Sequence, residues 1–404
     1  MCAARGFERR ARHVSSSTVS PESSSTSSSQ HVVSPTPAIG RLPAGVVTLA
    51  DHEAHARTRL DANALAYFSG GAGDEITLAD NRRAWDSLRL RPRVLRNVAG
   101  GHTRVELLGR TLAHPLLLAP VAYQKMAHAD GEVATACAAA AQGAGLVLST
   151  QASTPLEEVA AAMLAEPGRG PLWFQLYIQD DREFTRALVQ RAEHAGYEAL
   201  VLTVDAPTSG ARDRERRAGF RLPAGVSAVN LAGMRVSAQP ALSPGKSALF
   251  DGLLARVPTW EDLSWLIAAT RLPVLVKGVL HEDDARQAVA LGAAGVIVSN
   301  HGGRTLDTSV ATAMVLPRIA DAVAAQVPVL VDGGIRRGTD VLKAVALGAR
   351  AVLIGRPYVY ALANAGALGV AHVLRLLRDE LEIAMALAGC ATLADVTPAL
   401  LFEP

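Results

Sequence analysis

The chain of 404 residues is short of several things. It holds three cysteines, Cys2, Cys137 and Cys390, far apart in the sequence. They make neither a disulfide framework nor a CxxC metal site, and each reads as a small core residue or a stray thiol. That usage fits a reduced, cytoplasmic setting. Lysine is scarce: Lys125, Lys246, Lys277 and Lys343 are the only four among 40 basic residues, so arginine supplies the rest. The formal net charge is only +2, which excludes a nucleic-acid binder carried by bulk basicity. No stretch reaches the roughly 18 consecutive apolar residues of a spanning helix, so no membrane span is expected. No GxGxxG follows the first apolar run, which weakens a doubly wound dinucleotide fold.

What is present divides into two parts. Residues 15–29 read SSSTVSPESSSTSSS, ten serines in fifteen positions without an apolar period. Such a segment cannot bury enough surface to offset its ordering entropy. Residues 1–43 are therefore expected to be a disordered Ser-rich tail. Arg5, Arg9, Arg10 and Arg12 ahead of the serines resemble the composition of a transit peptide, but a plain tail or an early start codon is the favoured reading. Residues 44–404 are expected to form one folded domain.

Within that domain short apolar runs recur between helical stretches. They are Leu116–Ala119, Leu146–Ser149, Leu172–Tyr177, Ala199–Val204, Pro273–Lys277, Gly295–Ser299, Pro328–Val331 and Ala351–Ile354. Continuous apolar runs are what strands buried on both faces look like. Helical segments such as Asp181–Ala195, Glu282–Leu291 and Thr339–Leu347 lie between them, and Gly196, Gly292 and Gly348 stand where C-caps prefer glycine. Eight βα units predict an α/β fold, a (β/α)8 TIM barrel. Residues 48–112 should form an N-terminal cap of helices with a small hairpin. Residues 206–259, which include RDRERR, are too long for an ordinary βα loop and read as a flexible lid after the fourth strand.

A barrel enzyme gathers its chemistry at the C-terminal ends of its strands. Here those ends carry Pro120, Val121 and Ala122; Ser149; Gln175 and Tyr177; Thr203 and Asp205; Lys277; Ser299, Asn300 and His301; Asp332, Gly333 and Gly334; Gly355 and Arg356. One polar residue at a strand end is usually a cap, but eight in register are not. DGGIRRG and IGRP, after strands seven and eight, offer glycine-rich backbone N–H groups and an arginine before a helix, the pattern of a phosphate grip. In SNHGGRTLD, His301 can take a proton near neutral pH, and Arg304 can hold a carboxylate with two prongs. Asp205 could orient the imidazole.

At this point SNHGGRTLD, DGGIRRGTD and IGRP, together with AYFSGGAGDE, LAPVAYQKMAH, WFQLY, LTVDAP and LVKG, resemble the FMN-dependent 2-hydroxy acid oxidases and dehydrogenases, the glycolate oxidase and lactate oxidase group. The resemblance runs over roughly residues 48–398. It implies oxidation of an (S)-2-hydroxy acid to the 2-oxo acid, with O2 reduced to H2O2. It makes His301 the active-site base, Asp205 its partner, Arg304 and Arg212 the carboxylate binders, and Tyr67 and Tyr177 hydrogen-bond donors to substrate. It places Pro120, Val121 and Ala122 against the flavin ring, Ser149, Gln175 and Thr203 on its edge, and Lys277 near N1 and the C2 carbonyl, with Ser299 completing that wall. Asp332 would hold the ribityl chain, and Gly333, Gly334, Ile335, Arg336, Gly355 and Arg356 the chain and phosphate. It further implies a homo-oligomer, tetramer or octamer.

The sequence also departs from the group. Gln151 stands where glycolate oxidases have tryptophan, and Tyr123 where they have methionine, so a larger or more polar acid such as lactate or a mandelate-like acid is expected. Ala122 is the residue type of the oxidases, where some dehydrogenases have glycine. Four alternatives stay open: a dehydrogenase passing electrons to a quinone or other carrier, an enzyme like lactate 2-monooxygenase, a flavin barrel of the isopentenyl diphosphate isomerase type, and a non-catalytic flavin binder.

Overall fold

The computed structural model describes residues 41–235 and 245–402. All but the last three residues of the expected tail, 1–43, lie outside the described residues, as do residues 236–244 of the expected lid.

Three helices open the described chain, α1 (Leu49–Arg59), α2 (Ala62–Ser69) and α3 (Ile76–Ser87). Thr48 starts α1 through a reciprocal capping box with Asp51, and the Asp61 carboxylate caps α2 by accepting from the Ala64 N–H. Next comes β1 (Arg89–Leu90), which pairs antiparallel with β12 (Leu401–Phe402), and then a hairpin of β2 (Val105–Leu107) and β3 (Arg110–Leu112). This is the cap of helices and hairpin expected over 48–112.

Eight parallel strands follow and close on themselves. They are β4 (Leu116–Leu118), β5 (Gly145–Leu148), β6 (Leu172–Leu176), β7 (Ala199–Thr203), β8 (Val274–Val279), β9 (Gly295–Val298), β10 (Val329–Val331) and β11 (Ala351–Ile354), with β11 hydrogen-bonded to β4. Each falls within a residue or two of an expected run. The intervening helices are α4 (Gly131–Ala141), α5 (Leu156–Leu164), α6 (Arg182–His194), α7 (Asp213–Arg217), α8 (Trp260–Ala269), α9 (Glu282–Ala290), α10 (Thr312–Val323), α11 (Gly338–Ala346) and α12 (Arg356–Ala388). Nearly every strand residue is buried, because the barrel interior is filled on one side and the helices cover the other.

Two segments differ from expectation. Residues 206–259 carry short helices where the sequence showed no period: α7, then turns at Val229–Leu231, Ala248–Gly252 and Leu253–Arg256. The last five residues of RDRERR become a helix, with Arg212 just before it, through ion pairs at helical spacing, Arg216 with Asp213 and Arg212 with Glu215. Secondly, α12 is long and apolar enough by composition to cross a membrane, but 61% of its most apolar window is buried. It bends at Ala365 and Gly366 and packs on α1, α4 and α11, as a core helix does.

Candidate active site

His301 lies three residues beyond β9, in a left-handed conformation (φ 55°). Its N–H donates to Ser299 Oγ at 3.1 Å, and its Nδ1 is 2.8 Å from Asp205 Oδ1. An ionised carboxylate only accepts, so the network puts the proton on Nδ1 and leaves Nε2 free to take another. Asp205 stands just past the end of β7 and is almost wholly buried. Burial opposes its charge, but the neighbouring His301 and Lys277 outweigh that and hold its carboxyl below the usual carboxylate range.

Space for Asp205 comes from a residue that sequence reasoning passed over. Gly278 sits at φ +108°, and a Cβ there would lie 2.5 Å from the Asp205 Cβ. The register of β8 against β9 shifts between Lys277 and Val279, a local bulge centred on this glycine. The signal was the glycine of LVKG, read only as part of a motif.

Beside the imidazole are two arginines joined by one carboxylate. Glu215 Oε1 accepts from Arg304 Nη2 at 3.0 Å and from Arg212 Nη1 at 3.4 Å. Arg304 Nη1 also donates to the carbonyls of Tyr67 and Gly70, at 2.6 and 2.8 Å, and its guanidinium lies 5.0 Å from the Tyr67 ring. Three of its five N–H groups are thus committed, leaving two for a ligand carboxylate. Burial and the charge of Arg212 lower its pKa. Burial raises the pKa values of the Tyr67 and Tyr177 hydroxyls, so both remain neutral donors. Glu215 was another residue the sequence did not single out.

The opposite wall comes from the other strand ends. Lys277 Nζ donates to Ser299 Oγ at 2.9 Å and pairs with Asp332 Oδ2 at 3.1 Å. Burial opposes this ammonium, but Asp332 and then Asp205 raise its pKa. Gly333 and Gly334 take φ of 92° and 85°, and a Cβ on Gly334 would lie 2.3 Å from the Asn81 carbonyl oxygen. Asn81 of α3 and Asn300 of the His301 turn exchange side-chain hydrogen bonds at 2.8 Å each way, tying the cap to the rim.

These groups surround a cavity of about 740 Å³. Every expected site residue lines it except two. Asp205 stands behind His301. Ser299, expected to complete the wall, is fully buried behind Lys277 and His301 and supports both. The third difference is Arg356: its backbone is at the expected place, but its guanidinium turns onto the carbonyls of Phe68, Gly70 and Gly302. Tyr123, Gln151, Gln179, Phe220 and Leu253 also line the cavity.

Residues 56–403 match the family described as FMN-dependent dehydrogenase. The chain belongs to the FMN-dependent dehydrogenase family. An L-lactate oxidase of Alicycliphilus denitrificans is 52% identical over 88% of this chain and 96% of that protein. Glycolate oxidase 1 of Zea mays is 46% identical over 87% of this chain and 94% of its own length. A mandelate oxidase solved with (S)-2-phenylpropionate is 44% identical, superposes with a TM-score of 0.78, and covers 88% of this chain and 98% of its own.

The cavity suits the FMN of this family. Gln175 Nε2, Thr203 Oγ1 and Asp332 Oδ1 are buried polar atoms without protein partners, the kind of orphans that a ring edge and a hydroxylated chain would satisfy. Arg336 is buried, its guanidinium bonded to the Ile335 carbonyl and to no carboxylate among the described residues. With the N-terminus of α12 beside it, that leaves a cation and free backbone N–H groups for a phosphate.

Proposed function

We propose that this protein oxidises an (S)-2-hydroxy acid to the 2-oxo acid with FMN as cofactor and O2 as electron acceptor, releasing H2O2. The observation that carries this reading is the His301–Asp205 pair, 2.8 Å apart, beside two arginines and two neutral tyrosines on the rim of one cavity. Arg304 and Arg212 bind the substrate carboxylate, and the hydroxyls of Tyr67 and Tyr177 hold its oxygens. His301 Nε2 accepts one proton from the substrate, and the Asp205 carboxylate stabilises the imidazolium that forms. Bound in the cavity, FMN would supply the two-electron acceptor for the α-carbon and the link to O2. The same base serves a hydride path, by taking the hydroxyl proton, and a carbanion path, by taking the α-proton.

Pro120, Val121, Ala122, Ser149, Gln175, Thr203, Lys277 and Asp332 would hold the cofactor ring and chain, and Gly333, Gly334, Ile335, Arg336 and Gly355 the phosphate end. Tyr123 and Gln151 on the rim support a substrate larger or more polar than glycolate, in the range of lactate to mandelate. Ala122 supports O2 as acceptor. We further read the protein as a cytoplasmic homo-oligomer; cysteine usage supports the first and family resemblance the second, and light scattering of the purified protein tests the oligomer.

The test is anaerobic flavin bleaching against a panel of 2-hydroxy acids, then re-oxidation in air with peroxide measured. Bleaching and one peroxide per substrate are expected. Substoichiometric peroxide with decarboxylated product would identify monooxygenase chemistry instead, and no re-oxidation in air a dehydrogenase. His301→Ala should retain FMN yet bleach at least about 10²-fold more slowly; unchanged bleaching would remove His301 from the role of base.

A further inference from the structure

Helix α2 ends at Ser69, and the carbonyls of its last turn have no partners within the helix. Two arginines, one from the turn after β9 and one from the start of α12 after β11, take them. Arg304 donates to the carbonyls of Tyr67 and Gly70, at 2.6 and 2.8 Å. Arg356, the first residue of α12, donates from Nε to the Phe68 carbonyl at 3.1 Å and from Nη2 to that of Gly70 at 2.8 Å. Its Nη1 donates to the Gly302 carbonyl at 2.9 Å. One buried guanidinium therefore joins the segment that carries Tyr67 to the turn that carries His301.

We propose that Arg356 is a positioning residue for the reaction, its side chain locking Tyr67 and His301 into one unit through the backbone on either side of the cavity. The inference rests on the roles given above to Tyr67 and His301. Three features support it beyond the hydrogen bonds. Gly302 is left-handed (φ +65°), and a Cβ there would lie 2.7 Å from Arg356 Nη1, so the turn is shaped to admit the guanidinium. The partial negative charge at the C-terminus of α2 offsets two adjacent buried cations that otherwise repel. Finally, the cluster needs a planar fork. Its three bonds run to carbonyls on two separate segments, which the single ammonium of a lysine cannot span. The phosphate end is left with Arg336 and the backbone N–H groups of Gly355 and its neighbours.

The test compares Arg356→Lys, Gly302→Ala and Arg336→Met as holoenzymes, with His301→Ala alongside. Three quantities are read: FMN affinity by fluorescence, the limiting rate of anaerobic flavin bleaching, and affinity for the 2-oxo acid product from its perturbation of the flavin spectrum. Arg356→Lys and Gly302→Ala should retain FMN, bleach about 10²-fold more slowly, and bind the 2-oxo acid more weakly. Arg336→Met should lose FMN. Gly302→Ala keeps every charge, so it decides the matter if Arg356→Lys does not fold. The proposal is overturned if Arg356→Lys sheds FMN while the flavin that remains bleaches at the normal rate, since the side chain would then be a phosphate ligand. It is equally overturned if Gly302→Ala leaves bleaching and product affinity unchanged. Normal bleaching of His301→Ala would instead sink the functional reading, whereas weakened product binding in Arg356→Lys would still report a displaced Tyr67.

Discussion

At Asp205 burial and charge act in opposite directions, and charge wins. A carboxylate with one oxygen on His301 and the other unpartnered would ordinarily be driven toward its neutral form. The neighbouring His301, which donates to it, and the Lys277 ammonium keep it ionised instead. Its folded pKa is depressed below the 3.8 of a free aspartate. The stability it contributes is therefore present above that value and lost only as the pH falls through the lower folded one. Mild acidification, to about pH 5, leaves the charge in place. Asp205→Asn should consequently leave FMN bound and the fold intact at neutral pH, because an amide oxygen can still accept from His301. Flavin bleaching should slow by about 10² or more, since the imidazolium loses its counter-charge. Stopped-flow reduction of the reconstituted holoenzyme measures this, and a drop of less than threefold would show that Asp205 only orients the ring.

At the scale of elements, strand β8 is where the barrel yields to the site. A regular strand would drive the Gly278 position into Asp205, and the bulge avoids it only because glycine accepts φ +108°. Gly278→Ala adds left-handed strain and a 2.5 Å approach to the Asp205 Cβ. It should lower unfolding free energy by about 2–4 kcal/mol and cut turnover in the same variant. Urea titration together with bleaching kinetics checks both; full stability with normal bleaching would mean that β8 absorbs the methyl elsewhere. The contrast with the other strands explains what was legible. Runs such as Leu116–Ala119 and Gly295–Ser299 announce themselves because a strand buried on both faces must be apolar throughout. Their polar ends announce the site because a barrel presents them on one rim. The contacts between cap and rim had no such signal. Asn81 with Asn300, Glu215 with Arg304 and Arg356 on α2 are pairings over long sequence separations, and no period records which distant partner a guanidinium will find. The helix at 213–217 was hidden for a related reason: RDRERR has the charges for helical ion pairs but no apolar stripe to suggest a helix.

Across the whole molecule the barrel is closed twice, once by β11 on β4 and again outside the strands, where α12 packs along α1. That second closure contains an acid-sensitive contact. His52 on α1 is fully buried, with Nε2 3.0 Å from His372 Nδ1 on α12. Asn364 donates to the His52 carbonyl at 2.8 Å and lies 3.3 Å from its Nδ1. The neutral ring satisfies both neighbours, donating to His372 and accepting from Asn364, and protonation of Nδ1 removes the acceptor. Burial and then the proximity of His372 push the His52 pKa down to about 4, from an ordinary histidine value of 6.5; Asp51 opposes the shift and His55 adds to it. The unfolded chain therefore takes up the proton first. Stability from this contact is complete above about pH 6.5, declines as the pH falls toward 4, and is spent below that, a change on the order of 3 kcal/mol. Thermal unfolding of the holoenzyme should accordingly show a Tm that falls between pH 7 and pH 5 more steeply in the wild type than in His52→Gln, which keeps a donor and an acceptor but cannot titrate. Because His372 is also held below its ordinary value by burial, His372→Gln serves as the control and should recover only part of the difference. Parallel Tm curves for wild type and His52→Gln would show that the seam between α1 and α12 tolerates the charge and that acid sensitivity arises elsewhere.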